Sequence, residues 1–263
     1  VTKWNSSFAD GPWNGHPRYY LLVYWEVSWR IRSWKIPPPM CVPFWQAEKF
    51  LKWNCLHSCR NLSYTTYWIM DYIELDQYVS KHVCEKRLAH CRSTALQAEA
   101  LLTRFEPTLE GTAGRVVGLW HDVAREWGES QLLDYCLSNN VHMEPEEMRH
   151  PMLLHGAVGA HLLLSFVPGA EDAWRTAIRW HTLGSPDMGF LGAVLFVADY
   201  LEPLRSYLDE DTRKAMLGKG TLEEICLEVV QQQLLHIQLG GKSPASSTLA
   251  LAEFLHKGGS FGT

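Results

Sequence analysis

His121 and Asp122 are adjacent residues within the otherwise apolar stretch 118–124. An imidazole and a carboxylate are costly to bury unless a cation or another partner compensates them. A divalent metal ion would be such a partner. Adjacent side chains on a helix point about 100° apart, so this pair needs further ligands from neighbouring helices to enclose one ion.

Four further side chains of suitable type lie at or beside apolar helical faces elsewhere in the chain: His90, His155, His181 and Asp199. A single histidine of this kind is more often a hydrogen-bonded core residue than a metal ligand. Asp199 is harder to explain in that way, because the apolar run 193–198 offers a buried carboxylate few local partners. Imidazoles and carboxylates without thiolates suit Fe, Mn, Co or Mg better than structural zinc. The sequence therefore predicts a site for one or two divalent metal ions.

The elements that must position these side chains are predicted to be helices. Downstream of Met70, apolar residues recur at three- and four-residue spacing, and no segment alternates with period two for long enough to indicate a strand. The predicted helices cover residues 74–105, 113–122, 130–137, 152–166, 171–182, 190–201, 222–239 and 246–255. The fold class is therefore predicted to be all-α, a helical bundle.

Residues 1–69 differ from the rest of the chain. They contain eight of the twelve tryptophans, three consecutive prolines at 37–39 and no persistent helical or strand period. We predict that the native domain begins near Met70 and spans 70–263. The segment before it is then upstream sequence read as protein, or a poorly ordered extension. The alternative is a small aromatic-rich domain, and expression of 70–263 alone distinguishes the two.

Composition limits the classes of partner and location. The net charge of −5 argues against a nucleic-acid-binding surface, although a small anionic substrate is compatible with it if a metal supplies local positive charge. The seven cysteines lack C-x-x-C spacing, which is typical of reduced thiols in a cytoplasmic protein. One tight group, Cys55, His57 and Cys59, lacks the second half of a structural zinc site. No run approaches the roughly 20 apolar residues of a membrane span, so no membrane partner is predicted.

Five motifs carry a resemblance to a known family. They are KRLAH at 86–90, GLWHDVAR at 118–125, LLHG at 153–156, IRWHTLG at 178–184 and VADYLEPLR at 197–205. In this order on an all-helical body they resemble the HD-domain metal phosphohydrolases. More specifically, they resemble the YqeK-type branch, the symmetrical bis(5'-nucleosyl)-tetraphosphatases. The similarity covers about residues 75–255 and none of the Trp-rich segment.

The resemblance implies hydrolysis of diadenosine tetraphosphate to two ADP at an iron-preferring site, with Mn or Co as other candidate ions. The residues that would hold the first metal ion are His90, His121, Asp122 and Asp199. His155 and His181 would hold a second ion or face the phosphates. The chain departs from the family pattern at Trp120, where an aliphatic residue is usual, and at Arg125, where lysine is common.

Asp122 and Arg125 are the candidate catalytic residues. Phosphoanhydride cleavage needs a nucleophile at neutral pH, and Asp122 is the candidate to bridge two ions and orient the attacking water. Arg125 and Arg205 are candidates for phosphate contacts, since a guanidinium group matches phosphate in a bidentate way. Thr182 either donates a hydrogen bond to a phosphate or simply ends its helix.

The predicted partner is a small dinucleoside polyphosphate, and a homodimer is a candidate assembly. Two alternatives stay open: an HD phosphohydrolase acting on mononucleotides or cyclic nucleotides, and a non-catalytic nucleotide-binding sensor. The types of metal ligand do not distinguish the tetraphosphatase from the alternative phosphohydrolase, because the shape of the pocket selects the substrate. The complete ligand set weighs against a sensor.

Overall fold

The computed structural model of the chain describes residues 64–108, 111–167 and 170–262. These residues form helices and connecting turns, and none of them forms a strand, so the predicted all-α class is confirmed. The α-helices are α1 Tyr64–His82, α2 Glu85–Phe105, α3 Gly111–Trp120, α4 Glu129–Ser138, α5 Pro145–Arg149, α6 His155–Phe166, α7 Asp172–Trp180, α8 Gly189–Leu201, α9 Glu210–Leu217, α10 Leu222–Leu239 and α11 Ser246–His256. Short 3-10 helices at Pro151–Leu154 and Pro186–Met188 precede α6 and α8.

Two predictions concern residues before Tyr64, namely the Trp-rich extension and the group formed by Cys55, His57 and Cys59. Both lie outside the described residues. The domain boundary near Met70 stays a prediction, and α1 begins six residues before it.

The helix predicted over 74–105 is in fact two helices. Helix α1 ends at His82, and Cys84 is extended before α2 begins. The backbone N–H of Cys84 donates to a side-chain oxygen of Glu126 at 2.8 Å. A carboxylate from a distant part of the chain therefore satisfies a donor that a continuous helix would have used internally, and such a long-range bond leaves no local signal in the sequence.

Two helices end earlier than predicted. Helix α3 ends at Trp120 and α7 ends at Trp180, so the pair 121–122 and the pair 181–182 lie in the turns that follow. His121 still donates its backbone N–H to the Val117 carbonyl at 3.0 Å, whereas Val123 donates three residues back to Trp120. This tightened last turn places His121 and Asp122 at the end of a helix rather than within one.

Helices α5 and α9 were not predicted. Helix α9 follows Asp209, whose side chain accepts the backbone N–H of Thr212 at 2.9 Å as an N-cap. Both helices are short, with five and eight residues, so their apolar periodicity is too brief to detect by spacing.

Helix α8 forms the centre of the bundle. All its residues from Leu191 to Ala198 are buried, and a helix that is apolar on every side is typical of an interior position. It packs against α2, α3, α7 and α10. Asp199 follows the buried run directly, so the position of its backbone is fixed by four neighbouring helices.

Helices α2 and α3 approach each other closely because α3 has glycines on the contact face. A Cβ atom at Gly118 would lie 2.5 Å from the Cα of Ala95, and one at Gly114 would lie 2.9 Å from the carbonyl carbon of Ala98. The two backbones are therefore in direct contact, and this contact sets the separation between His90 on α2 and His121 after α3.

Among the described helices, none is both long enough and apolar enough to cross a membrane.

Candidate metal centre

Six side chains from separate parts of the bundle converge on one region. Helix ends supply most of them: the turns after α3 and α7, the first residue of α6 and the last turn of α8, while α2 contributes from its second turn. The six are His90, His121, Asp122, His155, His181 and Asp199. Five segments of the chain therefore contribute to one centre.

Three of the four histidines are oriented in the same way. In each, Nδ1 contacts the backbone carbonyl oxygen three residues earlier, at 2.7 Å for His121, 2.6 Å for His155 and 2.7 Å for His181. A carbonyl oxygen can only accept, so Nδ1 carries the proton and donates it. In the neutral ring this leaves the lone pair of Nε2 facing the centre, which is the form in which imidazole binds metal.

His90 is oriented by a carboxylate instead. Its Nδ1 lies 3.0 Å from an oxygen of Glu202, a residue only 1% exposed whose other oxygen accepts the backbone N–H of Leu204 at 2.7 Å. Histidine ligands commonly donate their second nitrogen to a carboxylate in this way. Glu202 lies three residues after Asp199 in the same motif, but it was not among the site residues predicted from the sequence.

The first group of ligands contains His90, His121 and Asp199. The two Nε2 atoms are 3.2 Å apart, and the Asp199 Oδ1 lies 3.0 Å from the His90 Nε2 and 3.5 Å from the His121 Nε2. Ligand atoms about 2.1 Å from one ion stand roughly 3 Å apart at octahedral angles. These three donors therefore have the spacing of ligands that share one cation.

The second group contains His155 and His181, whose Nε2 atoms are 3.1 Å apart. The hydroxyl oxygen of Thr182 lies 3.1 Å from the His155 Nε2 and 3.0 Å from the His181 Nε2. Burial lowers the pKa of His181, which favours the neutral imidazole that a metal requires. The Thr182 hydroxyl therefore lies beside the second group, and its contact with a bound phosphate stays a prediction.

Asp122 lies between the two groups, with one oxygen towards each. Its Oδ2 is 3.7 Å from the His90 Nε2 and 3.5 Å from the His121 Nε2. Its Oδ1 is 3.4 Å from the His155 Nε2 and 3.6 Å from the His181 Nε2. A carboxylate in this position can contribute one oxygen to each of two ions.

The carboxylates of the centre are stabilised in their ionised form. Burial alone would raise the pKa of Asp122, but His121 and two further imidazoles outweigh it and hold that pKa well below its usual range. Burial likewise opposes protonation of His121, yet Asp122 and Asp199 raise the pKa of His121 to about 10. The centre therefore favours positive charge between its carboxylates. A divalent cation held by these imidazoles and carboxylates satisfies that requirement, so the donor set fits a metal ion.

Two arginines approach the carboxylates from outside. Arg205 donates from Nη2 to the Asp199 Oδ1 at 2.5 Å, and Arg87 donates from Nη1 to the Asp122 Oδ2 at 2.6 Å. Arg87 was not predicted from the sequence. Its position one helical turn before His90, in the same motif, is the sequence feature that could have identified it. The structure does not bring Arg125 into this network: its partly exposed side chain makes no hydrogen bond or ion pair within the described ranges.

No family model matches the chain. It is 28% identical over 159 residues to the symmetrical bis(5'-nucleosyl)-tetraphosphatase of Bacillus subtilis, which covers 60% of this chain and 83% of the relative. It is 24% identical over 160 residues to the Staphylococcus aureus protein of the same name, covering 58% of this chain and 78% of the relative. A match of 121 residues at 28% identity relates it to a probable nicotinate-nucleotide adenylyltransferase/Ap4A hydrolase of Mycoplasma pneumoniae, over 46% of this chain and 33% of that one.

A solved structure from Clostridium acetobutylicum, described as a predicted HD superfamily hydrolase involved in NAD metabolism, superposes with a TM-score of 0.65. The two chains are 22% identical, and the match covers 71% of this chain and 97% of the other. The chain therefore has the fold of the HD superfamily, and its resemblance to the YqeK-type tetraphosphatases is confirmed.

Proposed function

We propose that this HD-type hydrolase cleaves dinucleoside tetraphosphates symmetrically, with diadenosine tetraphosphate giving two ADP. The observation that carries the proposal is the position of Asp122, which directs one oxygen to each of two histidine groups. The names of the Bacillus subtilis and Staphylococcus aureus relatives supply the substrate class.

The residues proposed to hold the cofactor fall into two sets. His90, His121 and Asp199 would hold the first ion, His155 and His181 a second, and Asp122 would be shared by both. Imidazoles and carboxylates without thiolates suit Fe, Mn or Co better than structural zinc. The resemblance to the tetraphosphatases favours Fe, with Mn or Co as substitutes, in one or two copies. A divalent cation in this position would supply a water nucleophile at neutral pH and a Lewis acid for the phosphoryl oxygens.

The other roles in the proposed reaction fall to side chains of the site. Asp122 orients the attacking water, since its two oxygens already span the gap between the histidine groups. Arg205 has 27% of its side chain exposed, so its guanidinium group can pair with a phosphate from the solvent side while it keeps contact with Asp199. Arg125 is proposed as a second phosphate contact, and Thr182 as a hydroxyl donor beside His155.

Product analysis with diadenosine tetraphosphate tests the proposal directly. Full-length protein, purified anaerobically and loaded with ferrous iron, manganese or cobalt, should yield ADP as the single nucleotide product. Metal analysis of the anaerobically purified protein before loading gives the identity and number of ions. AMP plus ATP as products would contradict symmetrical cleavage.

Two other outcomes identify the alternatives. Turnover of mononucleotides or cyclic nucleotides without turnover of diadenosine tetraphosphate indicates a different HD phosphohydrolase. Nucleotide binding without any turnover indicates a sensor.

The proposed location is the cytoplasm. The four cysteines among the described residues, Cys84, Cys91, Cys136 and Cys226, are all free thiols. Reduced cysteines are typical of that compartment. A homodimer remains the candidate assembly, and light scattering of the metal-loaded protein measures it.

A further inference from the structure

Tyr207 is exposed to an unusual degree for an aromatic residue of this protein. It lies in the loop 202–209 between α8 and α9, and 58% of its surface is open to solvent. Among the residues whose side chains the structure describes, every other phenylalanine, tyrosine and tryptophan is buried or half-buried. A ring that is exposed to this extent is available to contact a ligand, and its flat face is a surface on which a nucleobase can stack.

The loop that carries Tyr207 is held in place by a buried arginine. Arg213, only 6% exposed, donates to the backbone carbonyls of three residues in this region: Leu201 at 3.0 Å, Arg205 at 2.9 Å and Leu208 at 3.3 Å. A buried guanidinium group bound to three carbonyls fixes the course of the backbone, so the ring is presented by a preorganised loop.

The ring itself is also fixed in place. The Tyr207 hydroxyl donates to the backbone carbonyl of Tyr200 at 3.0 Å, and the two rings lie 5.4 Å apart at an angle of 55°. These contacts occupy one end and one side of the ring. The exposed part of the ring is an apolar surface. Because these contacts already hold the ring in one orientation, it does not have to be ordered when a ligand binds.

The same loop joins this ring to the metal centre. The Arg205 guanidinium carbon lies 5.8 Å from the Tyr207 ring centroid, and the Arg205 Nη2 contacts the Asp199 Oδ1 at 2.5 Å. Asp199, Arg205 and Tyr207 therefore follow one another towards the solvent: the candidate metal ligand has 20% of its side chain exposed, the candidate phosphate contact has 27%, and the aromatic residue has 58% of its surface exposed. A nucleotide has the same order of parts, with charged phosphates at one end and a flat base at the other.

We propose that Tyr207 forms a stacking site for the nucleobase of a nucleotide whose phosphates reach Arg205 and the metal centre. This inference rests on the proposed function, because it takes a nucleoside polyphosphate as the substrate. Stacking on an aromatic ring does not depend on the identity of the base, since every base has a π-face. Tyr207 would therefore strengthen binding of nucleotides over inorganic phosphates without selecting one base.

Comparison of ADP with inorganic diphosphate isolates the contribution of the base. Isothermal titration of the full-length, manganese-loaded protein measures the affinity of each ligand for wild type, Y207L, Y207F and L204A. Y207L keeps an apolar side chain of similar size but removes the ring. L204A is the matched control, because Leu204 is 60% exposed on the same loop.

We expect Y207L to bind ADP about tenfold more weakly than wild type and to bind diphosphate with unchanged affinity. Y207F should retain the ADP affinity, because the ring remains, and L204A should change it less than about twofold. Unchanged diphosphate binding also shows that Y207L is folded and that Arg205 is in place. An unchanged ADP affinity in Y207L, or an equal loss for both ligands, overturns the inference. So does wild-type protein that binds ADP no more tightly than diphosphate.

The assay separates this inference from the proposed function. Wild-type protein that binds ADP through Tyr207 but leaves diadenosine tetraphosphate intact contradicts the proposed reaction and supports the stacking site. Turnover of that substrate by wild type, with ADP affinity unaffected in Y207L, supports the reaction and contradicts the stacking site.

Discussion

The four imidazoles of the centre depend on different partners for their orientation. His121, His155 and His181 donate to carbonyls within their own turns, which persist as long as the helices do. His90 instead depends on the side chain of Glu202, which reaches it from another part of the chain. A single substitution at Glu202 therefore removes the partner that orients His90 without changing a proposed metal ligand, and it also removes the acceptor of the Leu204 backbone N–H.

We expect E202A to weaken binding of manganese by about 10- to 100-fold, as is usual when the carboxylate partner of a histidine ligand is lost. E202Q keeps an oxygen that accepts from Nδ1 and should lose less than about tenfold. Titration of the metal-free protein with manganese, followed by electron paramagnetic resonance, measures both affinities.

The control is E253A, because Glu253 forms an exposed pair with Lys257 in the last turn of α11. It should leave metal affinity unchanged. Equal affinities for wild type and E202A would show that Glu202 does not position His90.

At the scale of helices, the contact between α2 and α3 determines whether the first ligand group can form. We expect G118A to lower the free energy of unfolding by about 2 kcal/mol or more, because the added Cβ would meet the Ala95 backbone at 2.5 Å. Separation of the two helices should also weaken manganese binding, since His90 and His121 lie on opposite sides of this contact. Urea unfolding measures the stability.

The matched control for this substitution is G262A, because a Cβ at Gly262 meets nothing within 4 Å. Its unfolding free energy should stay within about 0.5 kcal/mol of wild type. A G118A protein as stable as wild type would show that the two helices adjust without cost.

A buried ion pair joins α5 to α7, the helix that ends directly before His181. Glu147 on α5 is fully buried and accepts two hydrogen bonds from Arg179 on α7, at 2.5 and 2.7 Å. We expect E147Q to lower the free energy of unfolding by about 3 kcal/mol, because it leaves a mostly buried guanidinium group without its counter-charge.

Thermal unfolding followed by circular dichroism measures this loss. The control is D172N, since Asp172 and Arg175 form an exposed pair on the same helix α7. That change should cost less than about 1 kcal/mol. Similar melting temperatures for E147Q and D172N would contradict a stabilising role for the buried pair.

At the scale of the whole molecule, helix α1 belongs to the core of the bundle. Its residues Leu75 and Val79 are buried, with exposed fractions of 1% and 0%. We expect a protein spanning 64–263 to fold and to hydrolyse diadenosine tetraphosphate at a rate close to that of the full chain. Burial of each such apolar side chain stabilises by about 2 kcal/mol, so a protein spanning 85–263 should be clearly less stable.

Urea unfolding and product formation measure the two shortened proteins beside the full chain. The predicted start near Met70 is tested in the same experiment by residues 70–263. Loss of folding or activity in both 64–263 and 70–263 would instead favour a genuine aromatic-rich domain before α1.

The fold class and the types of ligand could be predicted from the amino-acid sequence. Apolar spacing of three and four residues is a local property, and it identified α8 and most other helices. A charged residue next to an apolar run, such as Asp199 after 193–198, can likewise be recognised within one segment of the sequence. This pattern indicated a buried polar site. The order of the histidines and aspartates then carried the resemblance that the comparisons confirmed.

The side chains that meet, and the groups that orient them, could be identified only from the packed helices. Arg87 on Asp122, Glu202 on His90 and Arg179 on Glu147 pair residues that lie 32 or more positions apart. Such pairings depend on how helices pack, and no spacing within one helix encodes them. The division of the ligands around Asp122 has the same origin, because a carboxylate can face two histidine groups only after separate helices have brought them to its opposite sides.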